Sequence, residues 1–397
     1  MLGYRYLIIG GGMTAAAAIS GIREIDQEGS IGIISGEPHP PYNRPPLSKG
    51  LWKGKPIEKI FRRDMEKGVA SHLSCRVEKL DPEHKQVTDH SGQVYTYEKL
   101  LLATGGRPRQ LPFGGDQILY YRTLDEYQYL RKMVDEGHRF AVIGGGFIGS
   151  EIAAAIAMKG QKVAMIFPEV GVGGRLFPPD LARYLNDYFQ ERGVDVFDRE
   201  LVHNLEERSG NKVLLTRSGK EISADVIVAG IGLLPNTELA EAAGIKTGDG
   251  ILVDEYLRTD QLDIFAAGDV ASFYNPLLDR RMRVEHEDNA NTMGKFAGRN
   301  MAGEALPYHY LPYLYSDLFD LGYEAVGDLN PELETFTDWQ EPYSKGVIYY
   351  LDRGRVRGVV LWNVWDQVEA ARRLIAEPGP FKGQDLRGRL PAAANGS

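Results

Sequence analysis

An α/β fold with two parallel-sheet units and a C-terminal α+β domain is predicted by three observations. A short apolar run, a glycine triplet and a small-residue helix pattern occur in that order twice, as "YLIIGGGMTAAAAISGI" (6–22) and "FAVIGGGFIGSEIAAAIAMKG" (140–160). Each copy leads into a further apolar run, "SIGIISGE" (30–37) and "KVAMIFPE" (162–169). Beyond residue 307 the character changes, and "KGVIYYLDRGRVRGVVLWN" (345–363) reads as a hairpin of alternating strands around Gly354.

Strand, helix and strand at this spacing make a βαβ unit with parallel strands, a right-handed crossover and a ligand at the carboxyl strand ends. "KLLLATGGRPR" (99–109) and "ADVIVAGIGLLPN" (224–236) read as the closing strands of the two units. "DIFAAGDVA" (263–271) is an apolar strand ending at Gly268 and Asp269. "VWDQVEAARRLIAE" (364–377) carries apolar residues at helical spacing, and the tail "PAAANGS" is expected to be disordered. The expected organisation is a first nucleotide unit over 1–117 and 246–306, a second inserted over 118–245, and an α+β domain over 307–397.

Composition sets limits. The chain has 397 residues, 43% of them hydrophobic and 25% charged, which suits an ordinary globular protein of two or three domains. A net charge of −9 gives no electrostatic footprint for nucleic acid. The single cysteine, Cys75, excludes an internal disulfide, a Cys-X-X-Cys redox pair and a thiolate metal cluster. No metal site is expected. No apolar run reaches the length of a membrane span and no signal peptide is read, so the default location is cytoplasmic.

The glycines carry the first chemistry. Gly144, Gly146 and Gly149 form a full G-x-G-x-x-G, while Gly10 and Gly12 are followed by Ala15 in the third place. The first glycine permits a tight turn, the second lets backbone approach a pyrophosphate, and the third, or Ala, allows close helix–strand packing. The pyrophosphate then meets unpaired N–H groups at a helix N-terminus. Both Rossmann-like motifs precede an acid at the end of the next strand, Glu37 and Glu169, placed to accept from ribose hydroxyls. A carboxylate repels a 2′-phosphate, which favours NADH over NADPH in the second unit, with Arg175 six residues on softening the preference. Two dinucleotide sites suit one tightly held cofactor and one exchanging one.

With those motifs read, the chain resembles the two-dinucleotide-fold flavoprotein reductases of the glutathione-reductase-like superfamily. "PYNRPPLSK", "LLATGGRPR", "GGGFIGSE" and "AAGDVA" resemble its ferredoxin-reductase branch. "GGGMTAAAA", "FPEVG", "RVEHEDNA" and "YSDLFDLGYEAVG" are closer still to the apoptosis-inducing-factor-like proteins. The resemblance implies FAD in the first unit and NADH in the second. On the FAD side it implies Gly10, Gly12, Ala15, Glu37, Arg44, Lys49, Thr104, Gly105, Arg109, Gly268, Asp269, Glu285, His286 and Tyr315. On the NAD side it implies Gly144, Gly146, Phe147, Gly149, Glu151, Glu169 and Gly232. Lys49, Glu151, Phe147 and His286 are the implied catalytic set. Lys49 and Glu151 pair beside the flavin N5, Phe147 covers the flavin until nicotinamide displaces it, and His286 lies near the flavin rim. A helix after "RVEHEDNA", capped by Asp288 or Asn289, points its positive end at the flavin. Tyr315 stands where the family usually has Trp, on which its second nicotinamide site rests. Nuclear import, DNA binding and cell-death activity are not carried over.

The function expected is transfer of hydride from NADH to FAD and of electrons onward to a ferredoxin-like protein, a quinone or another small acceptor. Small ferredoxins are typically acidic, so a −9 chain needs a local basic patch, for which "DRRMR" (279–283) is the candidate. The alternative is a redox sensor in which a long-lived reduced-FAD–NAD charge-transfer complex controls formation of a homodimer.

Overall fold

The computed structural model describes residues 1–62, 68–208 and 210–390; the "PAAANGS" tail lies outside them. The chain divides into two compact units. The first comprises Met1–Arg44, Pro56–Arg107 and Leu234–Pro312. The second comprises Pro45–Lys55, Pro108–Leu233 and Tyr313–Ser397.

The first unit is built on a parallel sheet in the order Val69–His72, Ile31–Ile34, Leu2–Ile9, Val94–Leu102, with Ile264–Ala266 added beside the last. Leu7, Ile8, Ile33 and Leu100–Leu102 are fully buried, as strands covered on both faces require. Helix Met13–Ile25 crosses from the first strand to the second. It packs closely on helix Glu287–Met301 through small residues, and Glu24 pairs with Lys295 at 2.7 Å at the edge of that contact. A Cβ on Gly298 would lie 2.0 Å from the Ala18 carbonyl oxygen, and one on Gly294 2.5 Å from that of Thr14. Backbone-to-backbone approach of this kind brings the N-terminal turns of both helices to the carboxyl edge of the sheet. Helix Glu287–Met301 begins earlier than expected. His286 is its N-cap and Asp288 and Asn289 sit inside its first turn, so the expected cap at either is corrected. The extended backbone at His286, φ −129 and ψ 156, is what ends the preceding segment.

The second unit holds a parallel sheet in the order Val194–Phe197, Val163–Ile166, Phe140–Ile143, Val226–Ala229, Ile118–Tyr120. A three-stranded antiparallel sheet, Val202–Arg208, Asn211–Thr216 and Glu221–Ala224, accompanies it. The C-terminal part is a five-stranded antiparallel sheet in the order Tyr313–Leu318, Leu321–Gly327, Arg355–Trp362, Lys345–Asp352, Glu334–Glu341. The Lys345–Asp352 and Arg355–Trp362 strands form the expected hairpin, with Gly354 at φ +76 in its turn. The helix after it is shorter than expected, Val368–Ala376 rather than 364–377. Asn363 and Asp366 adopt φ +47 and +62, left-handed conformations that a helix cannot contain.

Candidate active site

Both glycine loops are cradles with an open mouth. Gly10 has φ +127, and a Cβ there would lie 2.1 Å from the Ala103 carbonyl oxygen. Gly144 has φ +117, with the Gly230 oxygen 2.3 Å from the equivalent point. A Cβ on Gly149 would lie 2.0 Å from the Gly144 oxygen, so the third glycine is needed there, whereas Ala15 fits fully buried. The second glycines differ in kind. Nothing lies within 4 Å of a Cβ at Gly12 or Gly146, each of which is a helix N-cap with no side-chain cap. A helix N-terminus with uncapped N–H groups facing open space fits a pyrophosphate in each unit.

Around the first cradle, Glu37 accepts from Tyr42 at 2.7 Å and Arg44 at 2.5 Å, and the Arg44 guanidinium lies 5.2 Å from the Tyr42 ring centre. Asp269 sits in the short turn Gly268–Val270, with Gly268 at φ +78 against Thr14. Arg283, nearly buried, donates to the Asp269 carbonyl at 3.1 Å and pairs with Glu285 at 2.5 Å and Asp249 at 2.9 Å. Thr104 is tied to Asn236 by two hydrogen bonds of 2.8 Å, and Gly105 takes φ +62 beside it. His286 is half-buried at its helix N-cap. These groups all belong to the first unit.

In the second unit Glu169 is held by Arg175 at 2.5 Å, so the cation six residues on is in contact with the acid at the end of the second strand. Phe147 opens its helix, half-buried, directly after Gly146. Arg109 is exposed and its N–H donates to the carbonyl of Gly232, which has φ +97.

The second unit also contains a buried cluster of charge. Lys49 Nζ lies 2.6 Å from Glu151 Oε1, with the two side chains 14% and 3% exposed. Ser316 donates to the same oxygen at 2.5 Å and Ser48 to Oε2 at 2.5 Å. Lys49 also lies 5.1 Å from the centre of the Tyr315 ring. A small cavity of about 10 Å³ adjoins the cluster, lined by Ser48, Lys49, Glu151, Lys53 and Asp317 among others. Sequence reading found Lys49 and Glu151 and missed both serines. Ser48 stands inside the quoted loop and Ser316 beside Tyr315, but neither hydroxyl announces a partner 103 or 165 residues away.

In the "DRRMR" stretch Arg280 and Arg281 are exposed and Arg283 is nearly buried. Arg281 donates to the carbonyls of Val253 and Ser272, and Arg283 is committed to Asp249, Glu285 and Asp269. Cys75 is buried and donates to Asp89 at 3.0 Å; burial and that carboxylate push its thiol up to about 11. Cys75, Asp89 and His90 are the one group among the described residues with ligand atoms near enough to share an ion. Asp89 already accepts from Cys75, Ser91, Gln93 and Tyr95.

The sequence pattern of the pyridine nucleotide-disulphide oxidoreductases matches residues 4–294. The chain belongs to this family. Residues 336–377 match the pattern described as apoptosis-inducing factor, mitochondrion-associated, C-terminal. The chain is 36% identical to apoptosis-inducing factor 1, mitochondrial, of Dictyostelium discoideum over 94% of its length and 78% of the relative's. It is 34% identical to the ferredoxin–NAD(+) reductase component of the anthranilate 1,2-dioxygenase system of Burkholderia cepacia, over 94% of both. Among solved structures, that of a covalent putidaredoxin reductase–putidaredoxin complex superposes with a TM-score of 0.90, 27% identity and coverage of 97% of this chain and 96% of the other. This member of the family is an FAD- and NAD(H)-dependent oxidoreductase. The family's description speaks of disulphides, yet one cysteine, buried and protonated, leaves no dithiol to exchange. Among the described residues no helix is long and apolar enough to cross a membrane.

Proposed function

We propose that this enzyme oxidises NADH and delivers the electrons singly to a ferredoxin-like iron–sulfur protein. We assign residues 1–117 and 246–306 to FAD, 118–245 to NADH and 307–397 to a C-terminal α+β domain. The observation that carries the reading is the buried Lys49–Glu151 pair in a chain without a redox dithiol. Bound FAD and NAD(H) supply the hydride transfer and its conversion into single-electron steps. The chain's residues bind, orient and supply charge. Gly12 and Gly146 open two helix N-termini to the pyrophosphates, and Glu37 and Glu169 take the ribose hydroxyls. Arg44 serves the phosphates of the first dinucleotide. Lys49 holds a positive charge for the negative charge that develops when hydride is accepted, and Glu151 fixes its direction. Phe147 screens the site before nicotinamide arrives. The near full-length likeness to a ferredoxin–NAD(+) reductase component supports the choice of acceptor.

The test is an anaerobic acceptor comparison. NADH-reduced enzyme is mixed with a [2Fe–2S] ferredoxin, a quinone, a dye or oxygen, and reoxidation is timed. Reoxidation at least tenfold faster with ferredoxin than with quinone or oxygen is expected. The match at 336–377 favours a second reading, a redox sensor. Slow reoxidation by every acceptor, long-wavelength absorbance that outlasts the NADH and a monomer-to-dimer shift would replace the first reading with that one.

A further inference from the structure

The buried carboxylate of Glu151 is held by more than its ion pair. A carboxylate offers about four lone-pair sites. Here Oε1 accepts from Lys49 and Ser316 and Oε2 from Ser48, which fills three. The two hydroxyls come from different places, Ser48 from the proline-rich loop and Ser316 from strand Tyr313–Leu318. A single ion pair leaves a carboxylate free to pivot about its own bonds, whereas three donors from three directions fix both oxygens.

The hydroxyls have little alternative. Ser48 Oγ lies 3.4 Å from the Pro45 carbonyl and 2.5 Å from Glu151, so its one proton goes to the carboxylate. Ser316 lies directly opposite Tyr323 on the neighbouring strand. Tyr323 is buried flat against Trp362, ring centres 5.5 Å apart and planes 12° from parallel, and burial holds its phenol well above the usual range. The Ser316 proton is directed to Glu151.

We propose that Ser48 and Ser316 are positioning residues that lock Glu151 from two sides and thereby hold the Lys49 ammonium in one place for the reaction. Tyr323 is the cross-strand neighbour of Ser316. The role in the reaction rests on the function proposed for Lys49; the lock itself does not.

Flavin-loaded Ser48→Ala, Ser316→Ala, Ser316→Thr and Tyr323→Phe are compared with wild type. Trace acetylation by acetic anhydride, read by peptide mass spectrometry, reports how firmly Lys49 is held, with exposed Lys79 as internal reference. The Lys49/Lys79 labelling ratio is expected to rise about tenfold in each Ala variant, the scale of one charge-assisted hydrogen bond, and less in Tyr323→Phe. Ser316→Thr, which keeps the hydroxyl, should stay within about twofold of wild type on the same scale. The rate of flavin reduction by NADH and the flavin midpoint potential should move in the Ala variants and be rescued in the Thr variant. An unchanged labelling ratio in both folded Ala variants overturns the lock. A raised ratio with unchanged reduction rate and potential overturns the positioning role and leaves a structural one. If wild type is not reduced by NADH at all, the proposed function fails while the labelling ratio still decides the lock.

Discussion

Lys49→Met removes the cation from beside Glu151 and leaves a carboxylate 3% exposed. Losing one partner of a buried ion pair costs about 3–5 kcal/mol. Ser48 and Ser316 still donate, so the loss here should fall at or just below the lower end, about 2–3 kcal/mol. Glu151→Gln should cost less, about 1 kcal/mol, because Lys49 is 14% exposed beside a cavity lined by Lys53 and Asp317 and can turn toward water. The double variant Lys49→Met/Glu151→Gln has no orphaned charge and should regain at least half of what Lys49→Met loses. Urea denaturation of the flavin-loaded proteins at pH 7 measures all four corners of this cycle. Equal costs for the two single variants, or simple additivity in the double, would refute the argument that Glu151 is the member too buried to stand alone. Stopped-flow reduction by NADH, slowed in both single variants, links the same pair to chemistry.

The glycines separate folding from binding. Gly10→Ala should destabilise by more than about 3 kcal/mol, since its Cβ would meet the Ala103 oxygen at 2.1 Å at φ +127. Gly12→Ala should fold normally, because nothing lies within 4 Å, yet lose most of its flavin; thermal unfolding and flavin content distinguish the two. Glu169→Ala frees Arg175 for a 2′-phosphate and should shift kcat/KM toward NADPH by about tenfold, a gain that Glu169→Ala/Arg175→Ala should lose. The Cys75 thiol, about 11 when folded against 9.0 ordinarily, is raised, so its contribution is whole below pH 9 and fades as pH climbs toward 11. Cys75→Val should flatten the fall of stability over that interval, and wild-type Cys75 should resist alkylation by iodoacetamide at pH 8.

The glycine loops were legible because each rests on local rules: a turn, a close approach and a helix start lie within six residues. The first strand, both crossover helices and the Gly354 hairpin followed from periodicity for the same reason. The misreadings fell where a single backbone conformation decides. Apolar spacing over 364–377 says helix, but left-handed Asn363 and Asp366 delay it to Val368. Asp288 is a good capping residue by type, yet the extended residue is His286. The basicity of 279–283 was legible and its partners were not, since Val253 and Ser272, which accept from Arg281, and Asp249, which pairs with Arg283, are distant in sequence.

The proline-rich loop 40–49 shows how a lysine so far in sequence from its partner is held beside it. Its four prolines contribute carbonyls without matching N–H groups, and those of Pro41, Pro45 and Pro46 accept backbone hydrogen bonds. Pro45 accepts from Ser48, and Pro46 from Lys49 and Leu51. The Leu47 carbonyl then accepts from Trp52 Nε1 at 2.7 Å and from Tyr121 at 2.5 Å, both buried. The backbone on either side of Lys49 is thus pinned before its side chain is considered, and the side chain adds only the reach to Glu151. A lysine on a mobile loop would lose about 2 kcal/mol of rotamer entropy on pairing, on top of backbone ordering. Here the backbone share is already met by the fold, so the ion pair contributes direction as well as charge. Tyr121→Phe removes an anchor of Leu47 without touching either charge. It should therefore slow reduction by NADH less than Lys49→Met does, while raising Lys49 labelling; a variant with wild-type labelling would show that the prolines alone hold the loop.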